Sequence, residues 1–239
     1  MDPDIVNGLL VYGVLVISLV VHEAAHALVA LWGGDKTAYF SGQVTLNPVP
    51  HMRREPFGTI FLPLAILYLS KGTMTMGYAH APIDPVWAYY NPRKAALMSA
   101  AGPISNFLLA LLAILVLHIM YSTGEIIAVD RAMSFQDRFV PAEIGQEGLV
   151  RATCRICCTF IFLNILLGTL NLLPVPPLDG AGVVGGVFPN SVGRFFDRLR
   201  SQPMASLISI AVIFYLVFNY GYRYLMLPAF DIAAALVKL

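Results

Sequence analysis

The feature that most limits what this chain can fold into is a contradiction inside its first apolar run. From Ile5 to Val21 no residue carries a charge, and then VVHEAAHALVALW (20–32) sets His22, Glu23 and His26 into the same run. A stretch of about 20 apolar residues is long enough to cross the roughly 30 Å of a bilayer's hydrocarbon as a helix. Ionisable side chains in such a helix are costly, and by default they mark a functional site.

Residues four apart project from one face of a helix, so His22 and His26 can grip a single ion. His-Glu-x-x-His is a zinc signature in which the glutamate handles the proton of the attacking water. The alternative is two histidines satisfied by core hydrogen bonds or lying at the membrane interface. Inside an apolar helix that reading leaves three ionisable groups to be desolvated without partners. A catalytic zinc usually has three protein ligands and keeps a fourth position open, so a third ligand is needed from elsewhere. The candidate lies in NLLPVPPLDGAG (171–182): Asn171 ends an apolar run, Pro174, Pro176 and Pro177 break it, and Asp179-Gly180 follows. Taken alone, Asp179 also reads as an ordinary turn aspartate before glycine.

The rest of the chain agrees with a membrane setting. Of its 239 residues 58% are hydrophobic and only 12% charged, whereas soluble domains carry about 25% charge. A net charge of +1 and the lack of any basic tract exclude nucleic acid as a partner and offer no polybasic anchor. The start, MDPDIVNGLL, lacks the positive segment and cleavage site of a signal peptide, so the first helix is expected to be permanent. Cys154, Cys157 and Cys158 sit together in an apolar segment and read as small buried hydrophobes.

Length and hydropathy predict helices near 5–30, 95–120 and 150–173, with a further one near 204–220. Residues 57–70 and 222–239 are too short or too interrupted to assign, and either re-enters the membrane or lies at its surface. The expected fold is an all-α polytopic membrane protein of about four to six transmembrane helices. Within TAYFSGQVTLNPVPHM (37–52) the strand-forming Tyr39, Phe40, Val44, Thr45 and Leu46 predict a small hairpin or sheet at the membrane surface. The loop 121–149 is acidic, and the basic residues Lys36, Arg53, Arg54, Lys71, Arg93, Lys94, Arg194, Arg198 and Arg200 can all lie on one side, provided 57–70 does not cross alone. The positive-inside rule makes that side cytoplasmic. The N-terminus and the 121–149 loop then face out, and the first and third long helices run inward, bringing His22, His26 and Asp179 to one depth near the cytoplasmic surface.

Together, His22-Glu23-Ala24-Ala25-His26 and Asn171-Leu172-Leu173-Pro174 through Leu178-Asp179-Gly180 resemble the site-2 protease family of intramembrane zinc metalloproteases. The similarity extends to GQVTLNP (42–48) and to Gly102-Pro103-Ile104-Ser105-Asn106, and it covers residues 5 to about 185. The resemblance implies one zinc ion held by His22, His26 and Asp179, Glu23 as general base, and cleavage of membrane-embedded protein segments. It divides the chain into a membrane-embedded protease core at 1–185 and an amphipathic connector with C-terminal membrane helices at 186–239. There is no room for the PDZ or nucleotide-sensing module of many relatives, so a separate regulatory membrane protein is a candidate partner beside the membrane-spanning substrate and the lipid bilayer. The expected location is a bacterial or archaeal cell membrane.

Asn106 and Asn171 are candidates to touch substrate or an oxyanion, or to hydrogen-bond a neighbouring helix. Gly102 permits close helix packing. His51, His80 and His118 have no partner at metal spacing. TMTMGYAHAPID (73–84) is either a surface connector or a cleft edge to which an extended substrate adds as a strand. The function expected is intramembrane peptide hydrolysis; the alternative is a zinc-binding membrane chaperone or assembly factor of the same fold, against which an intact Glu23 argues. A metal transporter would need further ionisable residues along its other long helices, which offer almost none.

Overall fold

The computed structural model of the chain describes residues 3–72, 75–129, 135–143, 148–200 and 226–239, with isolated positions between 201 and 225. In chain order the helices are α1 (Pro3–Gly33), α2 (Thr37–Phe40), α3 (Pro48–Arg54), α4 (Phe57–Leu69), α5 (Pro85–Tyr90) and α6 (Pro92–Ser122). Strands β1 (Ile126–Ala128) and β2 (Phe139–Pro141) follow, then α7 (Leu149–Asn171), α8 (Asp179–Val187), α9 (Arg194–Arg200) and α10 (Leu227–Val237). Among the described residues three helices are long and apolar enough to span a membrane: Val6–Gly33, Pro92–Ser122 and Leu149–Asn171. The helix expected at 204–220 falls largely outside the described residues.

The three long helices pack as one bundle, with α6 antiparallel to α1 and α7. Lys94 near the start of α6 donates to the Gly33 carbonyl at the end of α1, while Asn164 of α7 meets Ser18 of α1. Val11, Val14, Leu15 and Leu19 of α1 pack with Leu163 of α7 on one side of this crossing. Towards the other end of α6, Ala113, Ile114 and Leu117 join Cys154, Cys157, Cys158 and Ile161 of α7 with Ala233, Ala234 and Val237 of α10. Leu108, Leu111, Leu112, Leu115 and Ile119 line the outer face of α6 and are exposed, as a lipid-facing surface requires. The cysteines are buried and unpaired, serving as apolar filling.

The α1 helix does not finish at its histidines. Ala27, Leu28, Val29, Ala30, Leu31 and Trp32 carry it on to Gly33, where Gly34 at φ +106° lets the Asp35 N–H close back on the Ala30 carbonyl. At about 1.5 Å per residue, the His22–His26 turn lies well inside the helix and nearer its Gly33 end.

The predicted surface hairpin lies elsewhere than in 37–52. There the structure has the short helices α2 and α3: Asn47 caps α3 by accepting from the Val49 N–H, and Pro48 occupies its first turn. Tyr39 and Phe40 are exposed, so no sheet face is available for their β-preference to exploit. The sheet is instead the antiparallel pair β1–β2, within the acidic 121–149 loop, with Ile126 opposite Pro141 and Ala128 opposite Phe139. Ile126 and Phe139 are both buried in the α6–α7 core, which is what makes so short a pair stable.

The ambiguous segment 57–70 folds as α4, 13 residues long, about 20 Å at 1.5 Å per residue and too short to cross alone. It runs beside α1 from Thr59, whose carbonyl accepts from Tyr12, to Gly72, whose carbonyl accepts from Asn7. The chain then turns back, Thr75 bonding Pro63 and the Tyr78 N–H the Gly58 carbonyl. By Asp84 it has returned to the Gly33 end of α1. This is a hairpin lying along α1, and its tip sets Lys71 beside Asn7, at the end of α1 opposite Lys94 and apart from the basic residues it was expected to join.

Candidate metal centre

His22, Glu23 and His26 are buried, and the two histidines lie on the face of α1 that meets α6. The His22 Nδ1 is 2.6 Å from Asn106 Oδ1, and the His26 Nδ1 is 2.7 Å from the Met98 carbonyl oxygen, both on α6. Each Nδ1–H therefore donates to an oxygen, and each Nε2 presents its lone pair on the opposite side of the ring. The two Nε2 atoms face one another at 3.0 Å.

Asp179 completes the group, with Oδ2 at 3.1 Å from His22 Nε2 and 3.3 Å from His26 Nε2. Its position follows from the sequence after Asn171. The prolines at 174, 176 and 177 cannot continue α7, and the Leu178 N–H bonds the Val175 carbonyl before α8 opens at Asp179. Gly180 lies so close to the end of α7 that a Cβ would sit 2.2 Å from the Leu172 carbonyl oxygen. Only glycine lets the returning chain hold Asp179 at that depth.

The donor set fits a metal ion. Zinc bonded tetrahedrally to nitrogen and oxygen at about 2.05 Å spaces its ligand atoms about 3.3 Å apart, and the three edges here are 3.0, 3.1 and 3.3 Å. Three acceptor atoms at that separation repel unless a cation lies between them. Asp179 Oδ2 and Glu23 Oε2 are both buried without a hydrogen-bond donor. Gly102 leaves space beside the same face, since a Cβ there would stand 2.4 Å from His26 Nε2 and 2.5 Å from His22 Nε2. Glu23 Oε1 lies 4.0 Å from His22 Nε2, beyond a tetrahedral edge, so Glu23 stands back from the triangle that Asp179 closes.

The other candidate residues are placed apart from this triangle. Asn106 is fully buried, with its oxygen on His22 and its nitrogen donating to Asn164 Oδ1 at 2.8 Å. Asn171 closes α7 a few residues before Asp179, half-buried, its side chain without a hydrogen bond to the described residues. His51 and His118 bond the main-chain carbonyls of Thr45 and Val237. Residues 75–84 form neither helix nor strand and run from Gly77 against Leu19 to Asp84 against Asp35. Seven residues can reach about 23 Å, which matches the rise of α1 over the same interval, so this segment passes the level of His22 and His26.

Asp35 ties this segment to the end of α1. Its Oδ1 accepts from the Thr37 N–H at 2.8 Å and its Oδ2 from the Asp84 N–H at 2.9 Å. Burial pushes its carboxyl up, but the hydrogen bonds from Thr37 and Asp84 outweigh that and hold it below the usual carboxylate range. Sequence reasoning missed Asn164, Ser18 and the Met98 carbonyl; a lone asparagine in the middle of apolar α7 was the one signal available.

Residues 10–216 match the description of peptidase family M50. The chain belongs to that family, which is the site-2 protease family. Among M50 relatives it is 35% identical over 190 residues to the protein named "Putative zinc metalloprotease YwhC" of Bacillus subtilis (strain 168), covering 78% of this chain and 73% of the relative. It is 29% identical over 169 residues to "Putative zinc metalloprotease Rip2" of Mycolicibacterium smegmatis, covering 70% of this chain and 52% of that relative. A Helicobacter pylori protein named "Putative zinc metalloprotease" is 44% identical over 57 residues, 24% of this chain and 15% of its own length. The chain thus spans about three quarters of YwhC and about half of Rip2. No solved structure matches it. With the donor set above, family membership makes zinc the cofactor of this membrane protein.

Proposed function

We propose that the chain is an intramembrane zinc metalloprotease that hydrolyses peptide bonds within or beside the membrane spans of protein substrates. The observation that carries this reading is Glu23: a buried carboxylate beside the donor triangle, with Oε2 unpartnered. A site built only to bind a metal has no use for it.

His22, His26 and Asp179 would hold the ion. When bound, zinc polarises the scissile carbonyl and acidifies a water. Glu23 takes the proton of the attacking water as its oxygen bonds the carbonyl carbon, and delivers it to the amine nitrogen as the C–N bond breaks. The apolar faces of α1, α6 and α7 exclude bulk water and so strengthen each of these charge interactions. The Asn171 amide, at the end of α7 and without a hydrogen bond to the described residues, is the candidate donor to the carbonyl oxygen. The 75–84 segment supports strand-like addition of an unwound substrate beside α1.

The basic residues gathered at the Gly33 end of α1 favour a cytoplasmic site with the N-terminus outside, in a bacterial or archaeal cell membrane. The substrate is then a membrane-spanning protein, and a separate membrane protein regulates its access. The test is Glu23→Gln in proteoliposomes with a panel of single-span proteins. Loss of about 10² to 10⁴ in cleavage rate with zinc retained supports the reading; undiminished cleavage overturns it.

A further inference from the structure

A row of buried polar side chains crosses all three long helices behind the metal centre. Ser18, Asn106 and Asn164 each have 0% of their surface exposed. Ser18 Oγ donates to the Val14 carbonyl at 2.8 Å, and Asn164 Nδ2 donates to Ser18 Oγ and to the Phe160 carbonyl, each at 2.9 Å. Asn106 Nδ2 donates to Asn164 Oδ1 at 2.8 Å, and Asn106 Oδ1 meets His22 Nδ1 at 2.6 Å.

The direction of this row is forced from its far end. Main-chain carbonyls only accept, so the Ser18 hydroxyl must spend its proton on Val14, leaving its oxygen to accept from Asn164. The Phe160 carbonyl demands the same amide nitrogen. Asn164 can therefore present only its oxygen to Asn106, and Asn106 must turn its nitrogen to Asn164 and its oxygen to His22. The Nδ1 of His22 must then carry the proton, and Nε2 holds the lone pair. An inverted Asn106 amide would aim an N–H at Nδ1 and favour the other tautomer, whose Nε2–H cannot bind a metal. On His26 one carbonyl, that of Met98, does the same work directly.

We infer that Asn164, which touches neither the metal ligands nor Glu23, is a positioning residue that sets the metal-binding tautomer of His22 through Asn106, with Ser18 fixing its orientation. Outer partners of ligand histidines typically contribute 10- to 100-fold in metal affinity. The inference rests on His22 as a zinc ligand and is independent of peptide hydrolysis.

The experiment is chelator competition for Zn2+ on the purified full chain, with the d–d absorption of the Co2+-substituted protein as a readout of ligand geometry. Asn164→Leu is expected to weaken zinc binding about 10- to 100-fold and shift the cobalt spectrum. Asn106→Asp provides the rescue, because a carboxylate accepts from His22 whichever way round it lies. In that background Asn164→Leu should change zinc affinity by less than about threefold. Should Asn164→Leu fail to fold, Asn164→Ser, too short to reach Asn106, is expected to give the same loss. Wild-type zinc affinity and cobalt spectrum in the folded Asn164 variant would overturn the inference, as would a loss that persists unchanged with Asn106→Asp. His22→Ala separates the premise from the inference: if it keeps zinc, the ligand assignment has failed rather than the row behind it.

Discussion

His22 and His26 point their Nε2 atoms at each other across 3.0 Å, because α6 has already taken the Nδ1 of each ring, through Asn106 and through the Met98 carbonyl. Two lone pairs held that close, with Asp179 Oδ2 beside both, make a site preorganised for a cation rather than one assembled by it.

Removing a ligand should therefore empty the site without unfolding the bundle, since the apolar packing remains, together with both Nδ1 bonds in Asp179→Ala and that of His22 in His26→Ala. His26→Ala or Asp179→Ala is expected to leave fewer than about 0.1 zinc per chain after dialysis, while wild type holds about one. Elemental analysis of the purified proteins decides it, and stoichiometric zinc in Asp179→Ala would remove the carboxylate from the ligand set.

Gly102 tests the space rather than the ligands. Its missing Cβ would stand 2.4–2.5 Å from both Nε2 atoms, closer than non-bonded atoms approach, in the interval an ion needs. Gly102→Ala should lower zinc affinity by about 100-fold or more, roughly 2.7 kcal/mol, with helical content kept. Unaltered affinity would mean that α6 shifts to accommodate the methyl group.

The parts legible in the sequence were those that repeat or that carry chemistry in few residues. Uninterrupted apolar runs gave the three long helices to within a few residues, and the histidine spacing and the prolines before Asp179 pointed to elements that meet in space. What was not legible depends on which helix faces lie together. Asn164 is a single polar residue in an apolar run until α6 is seen to bring Asn106 within 2.8 Å of it. The β1–β2 pair has three residues per strand and draws its stability from Leu117 and Cys154 beneath it, while Tyr39 and Phe40 have strand propensity but nothing to cover.

The Asp35 clasp carries a pH dependence whose sign is fixed. Its folded carboxyl titrates below the ordinary value near 3.9, so its contribution is present above that value and is lost as pH falls through the lowered folded one. Trp87 beside it donates to the Gly33 carbonyl and should report the release. Below about pH 4 its fluorescence is expected to shift to the red as α5 leaves the end of α1. Asp35→Asn should cost about 1–3 kcal/mol at neutral pH and abolish that acid transition. An identical acid transition in Asp35→Asn would assign it to another group.

The last prediction concerns where a substrate is cut. The metal centre lies between residues 22 and 26 of a helix that runs from Pro3 to Gly33, so about 14 Å of α1 remains on the Gly33 side and about 30 Å on the other. Lys36, Arg93 and Lys94 lie at that nearer end, which the proposed function takes as cytoplasmic by the positive-inside rule. A substrate helix hides its carbonyls in its own hydrogen bonds and must unwind before Glu23 can direct water at one of them. Unwinding costs least near a helix end or at glycine and proline. Cleavage is therefore expected in the cytoplasmic half of the substrate's span, faster with a glycine or proline placed there and slower when that stretch is replaced by alternating leucine and alanine. Mass spectrometry of both fragments locates the bond, and cuts clustered in the outer half would reverse the orientation assigned to α1.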